Sequence, residues 1–412
     1  MHRTLFGCVR IALIVVAATV PHALFAQSDP AIADKIQELE QKLEALSAQT
    51  EEIRRELDAL KSSAGVAEEI EDLAAVEPAV QQPPPVQTVA APGASKIFNP
   101  DISIIGNVVG QMGNENPFDE RDPIALEEAE MSLQAFVDPY AKASFFIGFH
   151  EDEVEIEEGF VNFINLPADV TVKAGKMLAM FGKTNPQHFH VLPWVDRPLV
   201  LARYLGDEGL KGEGLSASAL IPNRWDVFVE ATGEIFRGDV EEVFAPEERT
   251  DLLYLAHLKL YRDLTDNSNL EVGASYMTGP IAEAGDSRFT GVDATFRWKP
   301  LERAIYRSLL ARAEWLTNDR DDVDDRTSGL YASADYQFAR RWLAGVRYDR
   351  SDQPDDPTIT DDGVSLSLTF RPSEFSLLRG QFRRTNYVLG EEVNEVLFQL
   401  QFGIGAHGAH PF

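Results

Sequence analysis

The stretch Asn394-Glu-Val-Leu-Phe-Gln-Leu-Gln-Phe-Gly-Ile404 decides how the rest of the chain is read. Val396, Phe398, Leu400, Phe402 and Ile404 fall on one face of an extended chain, and Glu395, Gln399 and Gln401 fall on the other. A period of two is that of a β-strand with one apolar face. The same beat returns in segment after segment from Asp101 onward, and the chain stops on an aromatic residue, Phe412. A transmembrane β-barrel produces this pattern, because alternate strand residues meet lipid and the others face water.

Sixteen segments carry the alternation, near 101–111, 126–137, 140–150, 154–165, 170–176, 208–220, 224–233, 251–262, 269–278, 288–299, 306–317, 327–338, 341–350, 361–371, 375–386 and 393–404. Most are about ten residues long, the length a tilted strand needs to cross the hydrocarbon, and an even count suits a single-chain bacterial barrel. Connections sort by parity. Those after segments two, four, six, twelve and fourteen are tight: Asp138-Pro139, Leu166–Asp169, Pro222-Asn223, Ala339-Arg340 and Pro372–Glu374. Those after segments one, five, seven, eleven and thirteen are mostly longer, and acidic or rich in Gly and Pro. Short turns on one rim and long loops on the other are expected of outer-membrane barrels. A soluble β-sandwich gives no such sorting. The parity also puts both ends of the barrel on the short-turn, periplasmic rim.

Residues 1–26 read as a signal peptide: Arg3 and Arg10, an apolar run from Ile11 to Val20, then the small residue Ala26. Cys8 is the only cysteine and would leave with that leader, so no disulfide is expected. Residues 30–62 carry a heptad seam. Ile36, Leu43, Thr50 and Leu57 share one core position, and Ile32, Leu39, Leu46, Ile53 and Leu60 the other, which predicts a periplasmic coiled coil. The mix of Ile and Leu does not choose between two strands and three, and the barrel context favours a homotrimer. Residues 77–95 hold Pro78, Pro83, Pro84, Pro85 and Pro92, a semi-rigid spacer before the barrel of 101–412.

The formal charge is -30, from 67 acidic and 37 basic residues, with no basic stripe, so no nucleic-acid partner is expected. Neither a Gly-x-Ser-x-Gly, a phosphate loop nor a His-Glu-x-x-His occurs, so neither an enzyme nor a cofactor is predicted. Alternation assigns faces. Tyr254, Ala256, Leu258, Val364, Leu366 and Leu368 point out; His257, Lys259, Ser365, Ser367 and Thr369 point in. The inward charges are mixed: Lys142, Lys173, Lys259, Arg297, Arg347, Arg371, Arg379 and Arg383 against Glu128, Glu130, Asp226, Glu230, Asp293 and Asp335. Of these, Arg347, Arg371, Arg379 and Arg383 are the candidate pore wall. The excess acid falls mainly in expected loops, among them Glu151–Glu158.

The connection Met177–Asp207 is different. It contains Phe181-Gly-Lys-Thr-Asn-Pro-Gln-His-Phe-His190 and Val-Leu-Pro-Trp-Val-Asp-Arg-Pro-Leu199, too apolar for an exposed rim. Such a loop is expected to fold inward and pack on the wall. Its candidate constriction groups are Lys183, His188, His190, Asp196, Arg197 and Arg203. His188 and His190 form a His-x-His pair, and His407 and His410 stand three apart near the end. Imidazole suits zinc, copper or nickel, but one pair supplies two ligands where a stable site needs three or four.

The signal, coiled coil, Pro-rich spacer, sixteen-strand pattern, Ala174-Gly-Lys176 with Phe181-Gly182, and terminal Phe412 together resemble the outer-membrane porin superfamily that includes the phosphate-selective porins. The dense lysine lumen that phosphate selectivity needs is missing. The resemblance implies a passive diffusion channel in the bacterial outer membrane for small polar solutes or ions, bedded in outer-membrane lipid and narrowed by loop 177–207. The rival is a metal (zinc)-linked receptor or an envelope-tethering barrel.

Overall fold

The computed structural model describes residues 100–405, apart from 115–121, 152, 239, 241–242, 246–247, 249, 282–284, 389 and 391. The expected signal peptide (1–26), coiled coil (30–62), spacer (77–95) and tail bearing His407, His410 and Phe412 lie outside the described residues.

Sixteen antiparallel strands form one closed barrel. They are β1 (Asp101–Gly113), β2 (Ile124–Asp138), β3 (Ala141–Phe149), β4 (Val154–Phe163), β5 (Val170–Leu178), β6 (Lys211–Leu220), β7 (Phe228–Arg237) and β8 (Leu253–Thr265) in the first half. The second half comprises β9 (Ser268–Pro280), β10 (Asp286–Trp298), β11 (Ser308–Arg320), β12 (Thr327–Ala339), β13 (Trp342–Asp352), β14 (Thr360–Ser373), β15 (Ser376–Asn386) and β16 (Glu392–Gly405). Each strand pairs with its sequence neighbours, and β16 pairs back onto β1 from Ser103↔Gly405 to Gly113↔Glu395. Closure leaves no unpaired sheet edge, the condition for a sheet to sit in a medium that offers no hydrogen bonds.

All sixteen predicted segments fall on strands, with one shift worth explaining. The seventh was expected at 224–233 and runs Phe228–Arg237. Asn223 closes a wider turn: its Nδ2 donates to Val227 O at 2.6 Å, and Trp225 N donates to its Oδ1 at 3.0 Å. Asp226 takes a left-handed φ of 55° in that turn and is exposed there, so it is not one of the lumen acids.

The outer face is apolar. Val346, Leu366, Phe382 and Leu400 are each more than one-third exposed along it. Trp225 in the turn before β7 and Trp342 at the start of β13 are exposed, as are Tyr276 and Tyr348 within β9 and β13. The inner face departs from a uniformly polar lumen. Ser365, Thr369, Gln381 and Gln399 line β14 to β16 as alternation predicts, but Leu253, Leu255, Met277, Phe289 and Leu316 turn inward on β8 to β11. That apolar half of the wall is where the long loop seats.

At the closing seam, aromatic rings cover glycines. Gly106 and Gly110 of β1 stand opposite Phe402 and Phe398 of β16. A Cβ at Gly110 would meet the Phe398 ring at 2.0 Å. Ring-over-glycine pairing across a seam fixes register. Gly110→Val is therefore expected to force the ring aside and destabilise the folded barrel by about 1–3 kcal/mol, as overpacking does. Urea unfolding in detergent, followed by the heat-modifiable shift of gel mobility, measures it.

Candidate functional site

The connection from β5 to β6 leaves the rim and crosses the lumen. Its first part runs along the inner wall, held by backbone donors. Leu178 N donates to Glu158 Oε1 (2.9 Å), Met180 N to Glu234 Oε2 (2.9 Å) and Gly182 N to Ser275 Oγ (2.9 Å). Thr184 and Tyr331 share a hydroxyl hydrogen bond of 2.6 Å. Asn185 ties the loop's ends together, donating to Ala179 O and Leu210 O while accepting from Leu210 N.

The middle passes a single 3₁₀ turn, Phe189–Val191, and reaches the opposite wall. There Val195 packs with Val109 of β1 and Leu397 of β16, with Phe189 against them. A short helix, α1 (Leu199–Leu205), then returns along β12 and β13. Val200, Leu201, Tyr204 and Leu205 are wholly buried, in one cluster with Phe181 and with Phe236, Leu253, Met277, Phe289 and Tyr331 of the wall. Burying each such side chain contributes about 1.5–3 kcal/mol. Glycines make room: a Cβ at Gly329 would stand 2.4 Å from Val200 Cγ2, and one at Gly291 2.8 Å from the Phe181 ring.

The polar ties follow the same path. Asp196 is the hub. It meets Arg347 Nη2 at 2.7 Å and Arg383 Nη1 at 2.9 Å, and Gln381 Nε2 donates to its other oxygen at 2.5 Å. Burial alone would raise the Asp196 carboxyl, but the two guanidiniums overcome it and hold the group well below the usual carboxylate range. Arg347 also binds Asp349 at 2.6 Å and lies 5.0 Å from the Trp194 ring centroid. Arg379 donates to the carbonyls of Leu192 (3.1 Å) and Trp194 (3.0 Å).

The other predicted loop groups are likewise engaged. Lys183 pairs with Glu271 of β9 at 2.7 Å, and burial still draws its ammonium below the ordinary lysine value. Arg203 binds Asp361, and donates to Ser351 O at 3.1 Å. Arg197 spends its donors on the carbonyls of Asp207 (2.9 Å), Glu208 (2.9 Å) and Gln187 (3.3 Å), stapling the loop to its own return. Of the predicted wall arginines, Arg347, Arg379 and Arg383 bind the loop directly, and Arg371 stands exposed below it.

His188 sits among carboxylates. Its Nδ1 is 3.0 Å from Glu130 Oε2 and 3.1 Å from Glu157 Oε2, and its Nε2 is 2.8 Å from Glu158 Oε2. Burial opposes its charge, but these three acceptors hold its pKa well above the ordinary histidine value. His190 Nδ1 lies 3.4 Å from the same Glu130 oxygen, and the two imidazole rings stack at 5.8 Å. Glu128 and Glu130 were legible as inward positions. Glu157 and Glu158, expected in an acidic loop, belong to β4 instead. A register shift against Phe146 and Ile147 of β3 leaves Glu157 as an extra residue, so successive carboxylates both reach inward.

Two cavities with no lining residue in common flank the loop. One of about 650 Å³ opens toward the long-loop rim and touches His188, Asp196, Arg197, Arg203, Arg347 and Arg383. The other, of about 610 Å³, opens toward the short-turn rim. Its charges are Lys259, Arg297, Arg312, Arg371 and Arg379 against Glu271 and Asp335. Lys183 lines neither, and His190 borders a third hollow, of about 580 Å³, with Arg371 and Arg379.

This architecture is shared with outer-membrane porins. The anion-selective porin of Comamonas acidovorans superposes with a TM-score of 0.53 at 10% identity, covering 74% of this chain and 99% of that one. OprB of Pseudomonas putida gives the same TM-score and identity, with 74% and 94% covered. The outer-membrane channel DcaP of Acinetobacter baumannii gives 0.50 at 10% identity, with 74% and 96% covered. At these identities the likeness is one of fold. By sequence, an uncharacterized protein of Aquifex aeolicus is 29% identical over 78% of this chain and 82% of its own length. No protein-family model matches.

Asp196→Ala would take the loop's carboxylate from Arg347, which is buried, and from Arg383, which is partly so; Arg347 keeps Asp349 and Arg383 keeps Glu395. With those wall partners retained, the loss falls below the ~3–5 kcal/mol of a buried charge left alone. The expected outcome is a loop that detaches at its crossing while its apolar anchor holds, seen as new protease cleavage between residues 187 and 198 in an otherwise folded barrel.

Proposed function

We propose that the chain is a passive diffusion channel of the bacterial outer membrane for small polar solutes and ions, narrowed by the inward-folded loop 177–207. One observation carries this reading: a rim loop buried inside a wide barrel, with an open, charged cavity on each side of it. Sixteen strands enclose more space than wall side chains can fill, so what the loop leaves free is available to water. The apolar outer band, with exposed aromatic residues along it, supports a bed of outer-membrane lipid. No reaction or cofactor is assigned. A homotrimer, with the heptad seam of 30–62 as its periplasmic coiled coil, belongs to the same reading.

The charge lining gives the channel a direction. Five cationic side chains against two carboxylates line the short-turn cavity, which favours anions there. The opposite cavity mixes Glu127, Glu128, Asp207 and Glu208 with Arg203 and Lys211. A solute crossing the loop would pass from a mixed field into a positive one, so the formal charge of -30 does not predict cation selectivity.

In planar bilayers, wild-type protein is expected to give ohmic steps, and deletion of residues 183–198 to raise their conductance several-fold. Unchanged conductance would dismiss the narrowing role, and a silent barrel would favour the receptor or tethering reading. Arg312→Glu with Arg371→Glu is expected to move the reversal potential in a salt gradient toward cation preference.

A further inference from the structure

We propose that Glu130, Glu157 and His188, with Glu128 and His190 beside them, form a binding site for a divalent first-row transition-metal ion that clamps the inward loop to the β2–β4 wall. The proposal rests on the loop's position and not on conduction, so it stands or falls apart from the channel reading.

The donor set comes first. One ligand atom each from Glu130, Glu157 and His188 lie within 4.8 Å of one another, and the same holds for Glu128, Glu130 and His190. Glu130 belongs to both sets. Donors bound about 2.1 Å from one ion stand no more than about 4.2 Å apart, so small side-chain rotations close either set. The ligands come from three elements: the imidazoles from the loop, Glu128 and Glu130 from β2, and Glu157 from β4. Two imidazoles alone are an incomplete set; the register of three strands supplies the carboxylates that complete it.

Charge is the second argument. Glu128, Glu130 and Glu158 are buried, and Glu157 nearly so. Three carboxylates, Glu130, Glu157 and Glu158, facing two imidazoles keep an excess of negative charge even with both rings protonated. An uncompensated charge away from water is costly, and a divalent ion cancels it.

Underused donors are the third. Glu157 shares a hydrogen bond with the carboxyl of Glu128, but no N–H reaches Glu157 Oε1 or His150 Nε2, which are buried. Both face a notch left by Gly148 of β3, where a Cβ would stand 2.3 Å from Glu157 Oε1 and 2.9 Å from His150 Nε2. The missing Cβ at Gly148 is what lets these two donors crowd together over β3 beside the cluster.

The mixed nitrogen and oxygen donors select the ion class. Imidazole with carboxylate suits Zn²⁺ and its neighbours, whereas Mg²⁺ and Ca²⁺ prefer oxygen alone. His188 is set up as a ligand. Its Nδ1 faces Glu130 and Glu157, where the ion would sit, and its Nε2 meets Glu158 at 2.8 Å. A carboxylate accepting from the far nitrogen of a ligating imidazole fixes the ring and raises its basicity. The ion would replace the Nδ1 proton, so uptake releases protons and weakens in acid.

The test uses the full chain folded in detergent micelles, stripped with chelator and titrated calorimetrically with Zn²⁺, with Mg²⁺ and Ca²⁺ in parallel. Wild type is expected to bind Zn²⁺ more tightly than either alkaline-earth ion, with proton release. His188→Ala and Glu130→Gln are each expected to weaken it about 100-fold. The double variant His407→Ala/His410→Ala is expected to bind as wild type does. Gel mobility before and after heating confirms that each variant is folded; should His188→Ala fail this check, Glu157→Gln takes its place. X-ray absorption at the zinc edge is expected to show only nitrogen and oxygen donors. The proposal is overturned if wild type takes up no Zn²⁺, meaning that the cluster merely shares protons, if binding follows His407 and His410 instead, or if Mg²⁺ or Ca²⁺ binds as tightly. A barrel that conducts but ignores Zn²⁺ defeats this proposal alone; one that binds Zn²⁺ but stays silent defeats only the channel.

Discussion

Everything in this structure follows from the hydrogen-bond ladder between β1 and β16. A sheet with both edges open could not present an apolar exterior to lipid, because each unpaired backbone group there would go unsatisfied. Closing a sheet of sixteen strands removes the edges but creates a second difficulty, an interior too wide for wall side chains to fill. The loop between β5 and β6 answers it. Its apolar residues are not solvated on a rim; they cover Leu253, Met277, Phe289 and Leu316, which would otherwise face water from the inner wall. Loop and wall thus account for each other's composition.

Opposite sides of that loop are held by different physics. Toward β7 to β12 the contact is largely apolar, with Phe181 and the α1 residues set into hollows opened by Gly291 and Gly329 beside the single Lys183–Glu271 pair. Toward β13 to β15 it is ionic, through Asp196, and toward β2 and β4 it runs through the two histidines. Apolar burial is insensitive to pH and salt. A cluster of carboxylates and imidazoles responds to protons and cations. One side of the loop is therefore a fixed hinge, and the other is tied by groups whose charge state can change.

Much of this was written in the sequence, because period two survives without knowledge of partners. Val396 to Ile404 announces β16 on its own, and the parity of loop lengths gives the rims. Strand seven slipped because Asn223 builds its turn with side-chain hydrogen bonds that no alternation reports. The inward fold of residues 177–207 was legible from Trp194, Val195 and Phe181, residues that do not belong in water. The partners of His188 were not legible. Glu130 lies on β2 and Glu158 on β4, distant in sequence, and only strand register brings them together. The extra residue in β4 hid Glu157 further by breaking the alternation that assigns faces.

That break is the more telling failure. Strict alternation would send Glu157 inward and Glu158 outward, or the reverse, and one carboxylate would face the apolar surroundings of the barrel. The shift against Phe146 and Ile147 lets β4 aim both at His188. Bulges locally disrupt the ladder and bend the strand, so they mark places where aiming a side chain outweighs regular pairing. Here the irregularity coincides with the gathering of carboxylates around His188. An inert brace would need no such re-aiming, because Val195 against Val109 and Leu397 already seats the crossing without charge. The re-aimed carboxylates close on His188, and the proposed ion is what the surplus among them would hold.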